Sequence, residues 1–314
     1  MNNSIKHILA LSLIKGVGDA FIKKKLNEIE LYSNDINLLG NMLGGKVTIN
    51  AITDNFPKAL SIIEECTENN IIIIPITSSQ YPFLLKEIKN PPAVLYLKGN
   101  IDNLERCVAV IGSRKSDSLG NTIASKIGDY FSKKWSICNG LVDGIDKNTI
   151  LNNECVLSNV TGVLSGGLNF DKTSSKVTKE LAAKVLENNG LLVSENPPNK
   201  REDQFSGSKA SRIQAGLSKG IILIQSSTKG GSKYTIKAFS ETSRVLGVIN
   251  FKSNESFLND ELFSGNRLLV SKGNEGIATM CEIKKIKNIK VKEVISLMRK
   301  EDYIVFEAAL NNDF

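Results

Sequence analysis

Cys107-Val108-Ala109-Val110-Ile111-Gly112-Ser113-Arg114 is the stretch that decides the fold. Five apolar residues run straight into Gly-Ser-Arg, and a helical pattern follows from Ser118. A short run that is apolar at every position is the mark of a strand buried on both faces, as in a parallel sheet covered by helices. Gly112 at its end lets the backbone turn tightly and approach a ligand. The next helix offers unpaired N–H groups and a positive dipole end, which suit phosphate. Arg114 adds a forked cation for the same anion. The segment therefore predicts a phosphate-containing ligand at the carboxyl edge of an α/β sheet.

The same rhythm continues outward. Apolar strand candidates fall at 107–111, 136–138, 162–164, 191–194, 221–225 and 245–250. Helical patterns lie near 118–133, 146–154, 174–188, 209–218 and 233–243. Strand and helix in alternation predict a Rossmann-like, doubly wound, mostly parallel sheet over 76–282. Residues 1–75 read as a small helical domain. There Ile8, Leu9, Leu11, Leu13 and Ile14 lead into Gly16-Val17-Gly18, then Ala20, Phe21, Ile22 and Leu26. This is a helix-hairpin-helix pattern, whose turn can offer N–H groups to a DNA phosphate. A plain helical hairpin whose glycines only make the turn fits equally. Ile71 to Ile74 stop at Pro75 and suit a buried strand. A proline-marked connector, Tyr81-Pro82 and then Asn90-Pro91-Pro92-Ala93, follows. The tail, 283–314, carries Lys284, Lys285, Lys287, Lys290 and Lys292, and Val291, Val294, Ile295 and Met298 predict one amphipathic helix.

Composition narrows the class. A chain of 314 residues can bury one good core and a smaller domain. A formal charge of +7 favours a polyanionic partner. Cys66, Cys107, Cys138, Cys155 and Cys281 are scattered, with no Cys-x-x-Cys spacing, which argues against a disulfide framework or zinc site. His7 stands alone, so histidine triads and histidine-based metal sites are disfavoured, and it reads as a surface or capping side chain. With no bilayer-length apolar run and no signal-peptide pattern, a cytoplasmic protein away from membranes is expected.

Three further segments fall where such a sheet places its ligand. Asn139-Gly140-Leu141-Val142-Asp143-Gly144-Ile145-Asp146 follows a strand; Asn139 and Gly140 are candidate ligand contacts, and Asp146 is expected to cap the next helix. Lys209 and Arg212 are three apart and share a helix face, so they could grip successive phosphates. Ser226-Ser227-Thr228-Lys229-Gly230-Gly231-Ser232 makes an anion nest opening a helix, though not a Walker loop. Phe205 and Tyr234, beside these basic segments, are candidates for base stacking.

In order along 80–282, the motifs resemble the DNA-processing protein A (DprA/Smf) family. They are Tyr81-Pro82, Pro91-Pro92-Ala93-Val94-Leu95-Tyr96, Gly112-Ser113-Arg114, Asn139-Gly140-Leu141 with Gly144-Ile145-Asp146, and Ser194-Glu195. Ser211-Arg212-Ile213, Gly231-Ser232, Arg244 and Gly265-Asn266-Arg267 complete the series. The resemblance implies a homodimeric protein that is not an enzyme and has neither cofactor nor metal. Such a protein binds and protects single-stranded DNA and loads a RecA-type recombinase in recombination and natural transformation. It also implies that Gly112, Ser113, Arg114, Lys209, Arg212, Gly231 and Ser232 hold the DNA backbone, with Lys229 and Gly230 of the anion nest beside them. This chain departs from the family pattern: Ala210-Ser211-Arg212 replaces Arg-Asn-Arg, Gln225 replaces a Glu, and Ile150 replaces a His.

Other readings share the fold. A diverged pocket could sense a nucleotide or DNA end in defence against foreign DNA. A phosphoribohydrolase of the lysine-decarboxylase-like (LOG) family needs a Glu after the glycine loop, where this chain has Ala238, with Glu241 a turn further on. A NAD-dependent dehydrogenase fails on the absent Gly-x-Gly-x-x-Gly.

Overall fold

The computed structural model describes residues 3–45, 47–152, 155–251, 257 and 259–311. Helices α1 (Asn3–Ser12), α2 (Asp19–Lys24), α3 (Leu26–Tyr32), α4 (Ile36–Leu43), α5 (Ile49–Thr53) and α6 (Phe56–Glu68) form the leading domain. Their apolar positions, including Ile8, Leu9, Leu11, Ile22, Ile29, Leu39 and Ile52, are buried. His7 is buried too, a correction to its expected surface place. Its Nδ1 lies 2.6 Å from Ser33 O, its ring stacks on Phe56, and burial pushes its pKa down. A lone histidine in a helix pattern gives no sign of which ring will cover it.

The sheet comprises β1 (Ile72–Pro75), β2 (Val94–Gly99), β3 (Cys107–Ile111), β4 (Ser136–Asn139), β7 (Val160–Val163), β8 (Leu191–Ser194), β9 (Gly220–Leu223), β10 (Val245–Ile249) and β11 (Glu293–Leu297). A separate two-stranded pair, β5 (Leu151–Asn152) and β6 (Cys155–Val156), lies apart. The strand order is β1-β2-β8-β7-β4-β3-β9-β10-β11. Every neighbouring pair from β8 to β11 is parallel, while β1 and β2 add an antiparallel edge. The central strands are buried at every residue, as unbroken apolar runs require. Helices α8 (Ser118–Phe131), α9 (Ile145–Ile150), α11 (Lys176–Glu187), α12 (Ser206–Leu217) and α13 (Ser232–Phe239) connect them, with short α7 (Phe83–Lys86) and α10 (Phe170–Thr173). Helices α14 (Ser264–Lys272) and α15 (Asn274–Met280) follow β10.

Two expected helices are corrected. The pattern near 146–154 ends at Ile150 and gives way to the antiparallel β5–β6 pair; residues 153 and 154 lie outside the described residues. In the tail, Val294 and Ile295 belong to strand β11, paired in register with β10. Ile289, Val291, Ile295 and Leu297 are buried, the period of a strand. The helical spacing of Val291, Val294, Ile295 and Met298 loses because the open edge of β10 offers backbone partners. Helix α16 (Lys300–Asn311) then docks beneath, with Phe306 and Leu310 lying on Gly220 and Gly247, where a Cβ would collide with them. Buried Glu307 accepts a hydrogen bond from Trp135 Nε1 at 3.2 Å.

Arg244 holds two layers together. Its buried Nη1 donates to Ala215 O, Gly216 O and Ser218 O at the end of α12, and Nη2 donates to Leu84 O at 3.0 Å. Carbonyls at a helix C-terminus lack intrahelical donors, and a cation also suits the dipole there. Arg244→Met should cost about 2–4 kcal/mol, because it leaves buried carbonyls without donors. An unchanged urea midpoint would show that those carbonyls find other partners.

Candidate nucleic-acid interface

The sheet reverses its winding between β3 and β9. After β3 the chain builds outward through β4, β7 and β8, then returns to lay β9 on the opposite flank of β3. Such a switch point opens a crevice at the carboxyl ends of the strands. Gly112-Ser113-Arg114 and the 226–231 loop emerge on its two sides, and Ser113 N donates to Gln225 O at 2.8 Å. Ser113 Oγ is engaged by its own turn, accepting from Lys115 N at 3.0 Å.

Gln225 is fully buried. Its Oε1 accepts from Asp117 N at 3.2 Å, while its Nε2 has no partner among the described residues. Gly120 is what admits it: a Cβ there would meet Gln225 Oε1 at 2.5 Å. The second loop is clamped from below. Asn266 Oδ1 accepts from Ser226 N, and its Nδ2 donates to Ile224 O and Ile249 O. Lys229 and Gly231 are exposed, whereas Ser232 is buried at the start of α13 with its Oγ unpartnered among the described residues. Nothing local to Gly265-Asn266 marks this role; a buried side-chain amide that meets backbone groups at the ends of both β9 and β10 is visible only once those strands are neighbours.

Asn139 and Gly140 stand at the end of β4. Asn139 is buried, its Nδ2 donating to Asp146 O at 3.0 Å and its Oδ1 accepting from Leu141 N. Asp146 does not cap α9, because Gly144 holds the cap position. The Asp146 carboxylate reaches back instead and accepts from Gly140 N at 2.8 Å. Gly144 has φ +80, and a Cβ there would strike Ser113 O at 2.3 Å, so this turn demands glycine. Burial raises Asp146 to about 7, opposed by the Gly140 and Val142 N–H groups and by Arg114.

Lys209 and Arg212 both lie on α12, which starts at the carboxyl edge. Lys209 is exposed. Arg212 is not: its Nη2 contacts Asp19 Oδ2 at 2.6 Å and Glu195 Oε2 at 2.5 Å. Arg114, Lys115, Lys209 and Lys229 thus form the exposed cationic rim, and Arg212 sits behind it, neutralised by two acids. Phe205 is 61% exposed and Tyr234 50% exposed, each at the start of a helix on this edge. Glu241 lies beyond the end of α13 and is exposed, facing Lys89. An apolar groove of about 410 Å³, around Phe83, Leu84, Leu104 and Leu217, lies elsewhere.

The model of the DNA recombination-mediator protein A family matches residues 72–287. This chain belongs to that family. Among relatives of this chain, DNA processing protein DprA of Bacillus subtilis is 32% identical over 62% of this chain and 66% of its own. Protein Smf of Synechocystis is 28% identical over 77% of this chain and 64% of its own. Both matches span less than two thirds of the relative's length. The X-ray structure of DprA from Streptococcus pneumoniae superposes with a TM-score of 0.72 over 97% of this chain and 98% of that one, at 22% identity. DNA processing protein A from Helicobacter pylori, whose structure was described for its single-stranded DNA binding mode, superposes with a TM-score of 0.55, at 21% identity over 69% of this chain and 93% of that one. At these identities the likeness shows a common fold, the mixed α/β architecture with a large, mostly parallel sheet.

The Asp146 carboxyl, raised from 3.8 to about 7, binds its proton more tightly in the folded chain than in the unfolded one. Its contribution to stability is complete below about pH 4, falls as the pH rises through that window, and is gone above about pH 7. Wild type should therefore lose more unfolding free energy than Asp146→Asn between about pH 5 and about pH 8 in urea titrations. Parallel pH profiles for the two proteins would show that burial does not raise this carboxyl.

Proposed function

We propose that this chain binds single-stranded DNA in the switch-point crevice and hands it to a RecA-type recombinase. The observation that carries the reading is the crevice itself, where two glycine-bearing loops and a cationic rim of Arg114, Lys115, Lys209 and Lys229 converge on one sheet edge. Backbone-directed binding needs that arrangement: N–H groups and cations for phosphate, with exposed aromatic rings for any base. Gly112, Ser113 and Gly230 shape the two turns, Gly231 is open to close backbone approach, the Ser232 hydroxyl is unpartnered among the described residues, and Phe205 and Tyr234 offer the stacking surface. The structural neighbour from Helicobacter pylori, described by its single-stranded DNA binding mode, supports the same ligand here. The family description as a recombination mediator supports strand protection and recombinase loading, in recombination or natural transformation, as the task. On this reading the chain works as a homodimeric binding protein, with no catalytic step of its own.

The test is fluorescence anisotropy with labelled oligo-dT and its duplex over a salt series. Wild type should prefer the single strand, log K should fall with log salt, and Arg114→Ala should weaken binding roughly tenfold. Weak binding indifferent to Arg114→Ala would sink the proposal and point to a nucleotide-sensing pocket.

A further inference from the structure

One of the contacts that join the leading helical domain to the sheet domain uses Arg212, the cation three residues along the same helix from Lys209 of the rim. Asp19 opens α2, just after Gly16-Val17-Gly18, and its carboxylate lies 2.6 Å from Arg212 Nη2. Glu195, from the end of β8, meets that same nitrogen. A guanidinium placed as a structural lock usually engages a carboxylate through two parallel N–H bonds. Here one nitrogen serves two acids, while Arg212 Nη1 and Glu195 Oε1 are buried without partners among the described residues.

The two acids are unequal. Glu195 belongs to the core, its side chain is only 10% exposed, and burial pushes its pKa up against the pull of Arg212. Asp19 is 33% exposed and stands on a six-residue helix of the other domain. Between the two domains lies a cavity of about 180 Å³, walled by Leu9, Leu13 and Asp19 on one side and by Tyr96, Glu195 and Lys209 on the other. An anion entering beside Lys209 would find Arg212 one residue-turn away, with Asp19 already on it.

We propose that Asp19 is an internal competitor for DNA phosphate: the leading domain latches Arg212, and a bound strand must displace that carboxylate to use it. This rests on the single-strand reading above and adds its regulation. With the latch closed, the crevice presents its outer rim alone. With the latch open, Arg212 joins Lys209 on one helix face and adds a phosphate contact, and the leading domain is freed from that tie.

The experiment compares oligo-dT binding by wild type, Asp19→Asn, Glu64→Gln, Arg212→Gln and the Asp19→Asn/Arg212→Gln pair, with Arg114→Ala alongside. Glu64 is an exposed acid on α6, so Glu64→Gln makes the same change in net charge away from the latch. Asp19→Asn should bind about tenfold tighter than Glu64→Gln. Its log K should fall more steeply with log salt, by about 0.7, the share of one added single-strand phosphate contact. That gain should vanish in the pair, since the two residues are coupled. Asp19→Asn binding no tighter than Glu64→Gln overturns the latch while Arg114→Ala still reports on the DNA reading. A gain that survives loss of Arg212 overturns it as well, because it is then a general charge effect. No binding by any of the proteins overturns the single-strand reading and the latch together. Arg212→Gln strands Glu195 in the core, so its melting curve is recorded; should it unfold, the comparison of Asp19→Asn with Glu64→Gln decides alone.

Discussion

The hydrogen bond from Ser113 N to Gln225 O is the contact on which the rest of the site depends. It exists because β9 pairs with β3 rather than extending the sheet beyond β8. A parallel strand can be reached only through a crossover, and crossovers in both directions from β3 leave a crevice where they part. The loops at the ends of β3 and β9 are far apart in sequence and adjacent in space for that reason alone. Each carries glycine where backbone must come close, and each opens a helix.

Around that bond the packing is specified by small residues beneath polar ones. Gly120 leaves room for Gln225, Gly144 leaves room for the carbonyls of Ser113 and Arg114, and Gly265 lies against Ser226 O. Asn266 pins the second loop to β9 and β10 through its amide. Gln225 stands where the family resemblance leads one to expect a glutamate. An uncharged amide at the floor of the crevice repels an anion less than a carboxylate does, and its Nε2, unpartnered among the described residues, is a donor. The cationic rim is exposed, so its attraction for a strand is screened by salt.

Much of this was legible from residue pattern. The strand 107–111 was read to the residue, because a run apolar at every position flanked by glycine has few alternatives. The helices beginning near 118, 174, 209 and 233 followed from their periodicity to within a few residues. What failed had two causes. The strand at 293–297 and the buried ring of His7 each depend on a partner distant in the chain, whereas Asp146 reaches Gly140 six residues back because Gly144 takes the cap position of the helix between. Local spacing in 291–298 fits a helix and a strand alike, and the unpaired edge of β10 chose between them.

By itself, then, the sequence determined which residues would be buried strands, where the backbone could turn beside a ligand, and that the chain would carry excess positive charge. These are properties of short segments, set by side-chain shape, glycine freedom and charge count. Only the tertiary structure decided that Arg114 and Lys229 would share a crevice, and that Arg212 would stand behind it between Asp19 and Glu195. Those outcomes turn on which strand lies beside which and on where one domain leans against another. Hydrogen bonds and ion pairs between remote residues form only when packing brings their atoms within about 3 Å, and no local pattern encodes that distance.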